Sequence, residues 1–351
     1  MKLTKGKARL IQKAVETWRD DGVLSGAESK RLMDHLEIIA FDWKRLARYC
    51  FWAAIACIFI SVSSVLMDQQ LMELLEFLFN MPPAAKCVFL AMAAAGAYYL
   101  GAKRRVQNPQ NLFSNEAVFF LGVLATAGSI AYLGKAIDNG SGHFSLLILL
   151  ACLVYGILGI FLDSRLIWVF AVLSLGGWFG TETGYESGWG AYYLGMNYPL
   201  RFVFFGLGLT LASYLFLKSP HWKPFFSSTH KLGMLYLFIA LWILSIFGNY
   251  GDWNVWHHVK QYTLFGWSVL FGLAAAAALY HGLKYDNAAS RGFGITFLGI
   301  NLYTRFFEYF WDSLHKAIFF ALLGLSLWWL GTEAENIWLW GTQKKRVRRD
   351  G

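Results

Sequence analysis

The sequence predicts an all-α, polytopic integral membrane protein, with about ten transmembrane helices behind a short N-terminal cytoplasmic helical hairpin. Three observations predict it. Apolar runs long enough to cross a bilayer, for which about 20 residues are needed, recur from Tyr49 to the C-terminus. Only 15% of the residues are charged, against roughly 25% in soluble domains, while 57% are hydrophobic. Aromatic residues reach 18%, with 16 Trp, which suits the anchoring of many helix ends at the membrane interfaces.

Residues 1–47 read as a small cytosolic hairpin. Lys5 to Asp21 places Leu10, Ile11, Ala14, Val15 and Trp18 on one helical face. Asp20-Asp21-Gly22 is a stop. Ser25 with Glu28 three residues on is a capping-box start for a second helix carrying Leu32, Leu36, Ile39 and Phe41 toward the membrane. So small a hairpin has little core, so it is expected to pack on the bundle or on a partner protein. The polar start and the late first apolar run predict no cleavable signal peptide.

The bundle, residues 48–331, then reads as Tyr49–Met67, Ala84–Gly101, Glu116–Ala136, Phe144–Leu162, Leu166–Gly180, Leu200–Leu217, Leu232–Gly248, Tyr262–Leu283, Gly292–Phe310 and Leu314–Gly331. Gln70 to Leu78 is amphipathic and is expected to lie in the interface. Gly176 and Gly180, Ala91–Ala97 and Ala274–Ala278 offer small surfaces for close helix approach. Val118–Lys135 resembles Val203–Lys218 weakly, in the antiparallel sense of an inverted repeat. Cys50, Cys57, Cys87 and Cys152 fall in apolar runs without a CxxC, which predicts buried small residues and no disulfide framework.

Charge sets the orientation. With the N-terminus inside, the N-terminal segment, the loops near 103–115, 163–165, 218–231 and 284–291, and the tail 332–351 hold 25 of the 31 Lys and Arg. The positive-inside rule then places both termini in the cytoplasm of a bacterial inner membrane. The basic tail Lys344 to Arg349 is explained by topology and anionic membrane lipid, so no nucleic-acid partner is expected.

The last two spans carry the candidate site. Ionisable groups at membrane depth are costly unless they face a protein interior or a wet cavity. Asn301, Arg305 and Glu308 share one helical face, and Arg305 and Glu308 are spaced to pair. Asp312, His315 and Lys316 follow across the turn. Lys135, with Asp138 at the end of the third span, is a further candidate. Together these residues are expected to form either a polar substrate pocket or a network that pins helices together. Outside, residues 178–198 and 249–262 are rich in Trp, Tyr and Gly, and Trp189, Tyr192, Trp253 and Trp256 are expected to build an ordered aromatic cap. Glu182, Glu186 and Asp252 are the acids an outer-face enzyme would need. His257 and His258, with His143 and Glu182, lack metal-ligand spacing, and no metal or other cofactor is expected. His221 and His230 are expected in a solvated inner loop.

The chain resembles the DUF2157 family of predicted bacterial membrane proteins. The resemblance lies in the Gly22-Val23-Leu24-Ser25 turn, Asp42-Trp43, Asn115–Gly134, Leu147–Gly180 with Asp163-Ser164-Arg165-Leu166, Tyr303-Thr304-Arg305 and Leu314–Phe320. Gly134-Lys135 stands where the family pattern has Gly-Gln. The resemblance implies a multi-span inner-membrane protein and carries no activity or catalytic residue with it. Phosphate-binding loops, nucleophile elbows and HExxH are absent from the sequence. The expectation is therefore a non-enzymatic translocator of a small solute or lipid-linked glycan, or a membrane component of an envelope assembly. A scaffold for partner proteins and a membrane enzyme acting on lipid-linked substrates are the alternatives.

Single cysteines placed at Lys223 and Gly251 in a cysteine-free chain test the orientation. An impermeant maleimide applied outside intact cells is expected to label position 251 and spare 223; the reverse pattern would invert the topology.

Overall fold

The computed structural model describes residues 2–34, 37–39, 57, 80–137, 140 and 142–339. Outside the described residues lie the first expected span Tyr49–Met67 (Cys57 apart), the amphipathic stretch 70–78, Asp138 and the basic tail 344–349. The chain divides into two compact units, Met1–Met81 and Pro82–Gly351.

In the first unit, α1 (Lys5–Asp20) ends where Gly22 takes a left-handed φ of +73° and Val23 N–H returns to Trp18 O. The capping box forms. Ser25 Oγ and N–H both donate to Glu28 Oε2, at 2.6 and 3.0 Å, and Glu28 N–H donates back to Ser25 Oγ. These two bonds, the hydroxyl's first, hold the Glu28 carboxyl below the usual carboxylate range. The second helix, α2 (Gly26–Asp34), stops short of the expected course toward the membrane. Glu37–Ile39 is instead a strand, β2, pairing in parallel with β1 (Lys2–Thr4). The β-branched Ile38-Ile39 favours the extended backbone. Two parallel strands need a crossover connection, and α1 with α2 supplies it.

The second unit is helical throughout its described elements and is built from antiparallel hairpins. They are α3 (Pro83–Gln107) with α4 (Leu112–Ile137), α5 (Ser145–Phe161) with α6 (Arg165–Glu186), and α7 (Tyr198–Ser213) with α8 (Lys223–Phe247). A short α9 (Trp253–His257) leads to the pair α10 (Gln261–Lys284) and α11 (Ala288–Phe310), and α12 (Lys316–Leu339) follows. Turn chemistry places the starts: Pro83 opens α3, Ser164 caps α6, Asn197 caps α7 and Asn287 caps α11 through its side chain.

Six described helices are long and apolar enough to cross a membrane: α3, α4, α6, α7 with its 3-10 extension to Lys218, α8 and α10. This supports a multi-pass membrane protein. The expected count of ten is not reached. Ser145–Phe161 and Lys316–Trp329 are apolar but shorter. α11 spans 23 residues but is interrupted by Asn301, Arg305 and Glu308.

Two packing centres hold the bundle. Tyr98, Phe119, Val123, Tyr155, Ile167 and Ala171 join α3 to α6. Met234, Phe238, Leu241, Phe271, Ala275 and Phe297 join α8, α10 and α11. Lipid tails are as apolar as these side chains, so close contact rather than water exclusion holds such helices together. The α7–α8 seam shows how close. A Cβ on Gly206 would stand 2.7 Å from Leu237 Cα, and one on Gly233 would stand 2.7 Å from Thr210 N. The Gly176–Gly180 pair works differently, since these two positions receive the rings of Tyr236 and Phe202 rather than another backbone. The polar groups between α7, α8 and α11 also correct the sequence reading of His230. It is 3% exposed on α8, bonded to Ser213 Oγ and Ser290 Oγ at 3.2 Å each, and does not lie in a solvated loop.

Gly206→Ala is expected to lower the thermal midpoint of the purified protein, by an amount worth about 1–3 kcal/mol, as overpacked interiors do. At Gly208 an added methyl meets nothing within 4 Å, so Gly208→Ala should leave the midpoint unchanged or raise it. Equal midpoints for the two variants would refute the tight seam.

Candidate functional site

The C-terminal ends of α6, α8 and α11 and the N-terminal ends of α5, α7, α10 and α12 meet at one end of the second unit, and most of the candidate residues are there. Two loops, 187–197 and 248–260, form its cap. Asn197 ties them together. Its backbone N–H donates to Asn249 Oδ1 at 2.9 Å, and its amide donates to Gly248 O at 2.8 Å and Tyr250 O at 3.3 Å. Its Oδ1 accepts from Leu200 N–H, capping α7. Asn249 reaches back to Gly195 O at 2.9 Å. Tyr192 Oη donates to Asn249 O and accepts from Gly251 N–H at 2.7 Å. Gly251 is required here, since a Cβ would stand 2.8 Å from the Tyr192 ring.

Beneath the loops lies Arg201, 1% exposed. Its three nitrogens donate to Met196 O, Thr183 O and Ala191 O at 3.0, 3.1 and 3.1 Å, and it lies 4.2 Å from the centroid of the Tyr198 ring. No carboxylate among the described residues pairs with it. A guanidinium is the side chain suited to this, because its rigid fork can serve several carbonyls while its face stacks on an aromatic ring. The charge thereby fastens α6, the first loop and α7 to one another.

The cap encloses a cleft of about 280 Å³. Tyr198, Phe247, Tyr250 and Trp256 supply rings, and Asn197 and Asp252 supply polar side chains. Trp256 Nε1 donates to Ile246 O at 3.1 Å, and its ring packs 5.1 Å from that of Phe247. Asp252 Oδ1 accepts from Asn254 N–H at 2.8 Å and starts α9.

Below the cleft is the ion pair. Arg305 and Glu308 are joined through both guanidinium nitrogens, one of them at 2.8 Å from Glu308 Oε1, and the side chains are 11% and 15% exposed. Arg305 also donates to Ser245 O on α8 at 3.0 Å, and Trp242 Nε1 donates to Thr304 Oγ1 at 2.9 Å. Three consecutive residues in the last turn of α8 therefore carry three loads: Ser245 the ion pair, Ile246 the Trp256 indole, and Phe247 the cleft wall.

The expected pocket in the last two spans is not assembled as one site. Asn301 turns to α10, accepting from Ser268 Oγ at 2.8 Å and donating to Ser268 O at 3.0 Å. Asp312, His315 and Lys316 are exposed in the turn before α12. Lys316 does not pair with Asp312. It donates to Trp311 O and lies 3.9 Å from the Trp311 ring centroid. Lys135 lies over Tyr132 on α4, whose packing partners are α3, α5 and α6. Nor do the two arms pack along their length. α12 meets α11 near the turn, where Phe319 packs on Phe306, Phe307 and Trp311, and through the Tyr303–Ser326 hydrogen bond. Among the aromatic candidates, Tyr192 and Trp256 belong to the cap, Trp253 is the first residue of α9, and Trp189 is 58% exposed with its edge against Gly184.

His143 does meet Glu182, at 3.1 Å, but in company with Ser145, whose hydroxyl donates to the same oxygen at 2.5 Å, and with Tyr185, whose ring stacks 3.9 Å from the imidazole. No group of three or more His, Cys, Asp or Glu suited to a metal forms among the described residues. Set against known proteins, the chain matches no family model, no curated protein and no solved structure.

The sequence reading missed Arg201, Asn197 and Asn249. One signal was present: Asn197-Tyr198-Pro199 is a cap residue followed by Pro in the first turn. Nothing local marks Asn249 or the destination of Arg201.

Removing Arg305 alone strands the Glu308 charge, a loss of about 3–5 kcal/mol for a buried pair. Arg305→Ala is therefore expected to lower the thermal midpoint more than the double variant Arg305→Met with Glu308→Leu. A double variant less stable than the single one would show that the two charges do not depend on each other.

Proposed function

We propose that this chain is a non-enzymatic, multi-pass protein of the bacterial inner membrane, with both termini cytoplasmic, that receives a small solute in the aromatic cleft at its outer face. The observation that carries the reading is the cleft itself. It is walled by four rings, its loops are cross-braced by Asn197 and Asn249, and its floor shares a helical turn with the Arg305–Glu308 pair. Binding sites are concave and largely apolar with a few placed polar groups, and this one has that make-up. Its volume is just under the roughly 300 Å³ where drug-sized pockets begin, which suits a small solute or a single headgroup rather than a polymer. Placing an ion pair directly beneath the entry gives a translocator a gate that a bound solute can disturb. The resemblance to the DUF2157 family agrees with the inner-membrane setting, and lipid surrounds the exposed apolar faces. The N-terminal unit is then the part available to a cytoplasmic protein partner.

One observation favours the scaffold reading. The Arg305–Glu308 pair is closed and reaches α8, so it serves equally as a fastener between helices.

The full-length protein in nanodiscs, titrated with small solutes drawn from sugars, organic cations and organic anions, tests the proposal by intrinsic tryptophan fluorescence. At least one class is expected to shift the emission. Tyr250→Ala should weaken that response about tenfold, near 1.4 kcal/mol, and Trp256→Phe should diminish the signal. A response that neither variant alters would remove the cleft from the proposal, leaving the scaffold reading.

A further inference from the structure

We infer that the cleft takes a small organic cation, a methylated or primary ammonium group. This rests on the solute-binding reading above and adds the sign of the ligand's charge.

Among the described residues lining the cleft, Asp252 is the one that carries charge. Its Oδ1 is taken by the Asn254 N–H, and Oδ2 makes no hydrogen bond among the described residues. An anion would have to sit beside that carboxylate with no cation to receive it. Arg201 does not serve, because it is sealed from the cleft at 1% exposure and its nitrogens are spent on three carbonyls.

A sugar would need several free donors and acceptors around its ring. The cleft has few left. The Asn197 amide gives its donors to Gly248 O and Tyr250 O, and its oxygen receives Leu200 N–H. The Trp256 indole N–H goes to Ile246 O. What remains is ring surface and one carboxylate. Aromatic faces carry the negative side of the ring quadrupole and attract a cation placed within about 6 Å of the centroid. A carboxylate beside several ring faces is thus complementary to a positive, apolar-skinned group, and a methylated ammonium is such a group.

The same end of the molecule already uses this chemistry internally. Lys316 lies 3.9 Å from the Trp311 centroid, and Arg201 lies 4.2 Å from that of Tyr198. The size agrees as well, since about 280 Å³ admits a headgroup-sized ion and excludes a long chain.

The test uses full-length protein in nanodiscs of zwitterion-free lipid, titrated with tetramethylammonium chloride against sodium chloride at matched ionic strength. Methyl β-glucoside and sodium acetate are run in parallel. Calorimetry and tryptophan emission are read together. Tetramethylammonium is expected to bind, and the glucoside and acetate are not. Asp252→Asn is expected to weaken binding at least about tenfold, and asparagine is an equally good helix cap, so α9 keeps its start. A thermal midpoint equal to that of the parent confirms that the fold is retained, and Tyr250→Leu supplies a second variant outside the cap's hydrogen bonds. Binding of the glucoside or acetate without tetramethylammonium overturns the cation inference and leaves the solute-binding reading standing. Binding of none of the three overturns both. Tetramethylammonium binding that Asp252→Asn and Tyr250→Leu leave unchanged places the cation elsewhere and also overturns the inference.

Discussion

A polar group inside a bilayer has no water to turn to, so every one of these helices must bring its partners with it. That constraint orders the second unit. Arg201 is met by three carbonyls, Asn301 by both polar groups of Ser268, His230 by two serines, and Arg305 by Glu308 and Ser245. Each of these arrangements joins at least two helices. Polarity at membrane depth thus specifies which helices are neighbours, a task that apolar side chains, equally content against lipid, perform poorly.

The remaining cohesion is steric. Rings fill two packing centres, one among α3–α6 and one among α8, α10 and α11. Glycines set how near the helices stand. The interlocked backbones of α7 and α8 behave as one body, and α8 is the helix that also contacts α6, α10 and α11. The cap follows from this arrangement. With α7 and α8 fixed side by side, Asn197 at the start of one and Gly248–Tyr250 at the end of the other are held within hydrogen-bonding reach, and the cleft opens between them.

The helices were legible because apolar runs of the right length have few other uses, and their starts were legible where local chemistry dictates them, as at Ser25–Glu28. Arg305 and Glu308, three residues apart, pair as spacing alone required. What the residues did not disclose depends on distance along the chain. Asn197 and Asn249 are far apart in sequence, and neither resembles a functional residue until the loops meet. Arg201 read as a charge at a helix start, because its carbonyl partners are backbone and therefore invisible to any pattern of residue types. His230 stands before the apolar stretch that begins at Leu232, so hydropathy assigned it to water; helix α8 in fact begins two turns earlier. The last hairpin was legible as two helices but not as a divergent pair, because the contact that decides it, Phe319 among the rings of α11, lies near the turn.

The contrast between the glycine seats carries a mechanical meaning. Between α7 and α8, backbone rests on backbone, and neither helix can shift without collision. Between α6 and α8, Gly176 faces a single tyrosine ring, Tyr236, whose hydroxyl reaches Leu173 O at a slack 3.4 Å. A flat ring in a shallow socket tolerates slippage that meshed backbones forbid. Whatever rocking the bundle undergoes is thus steered to that lubricated joint, with α7 and α8 swinging as a single plank.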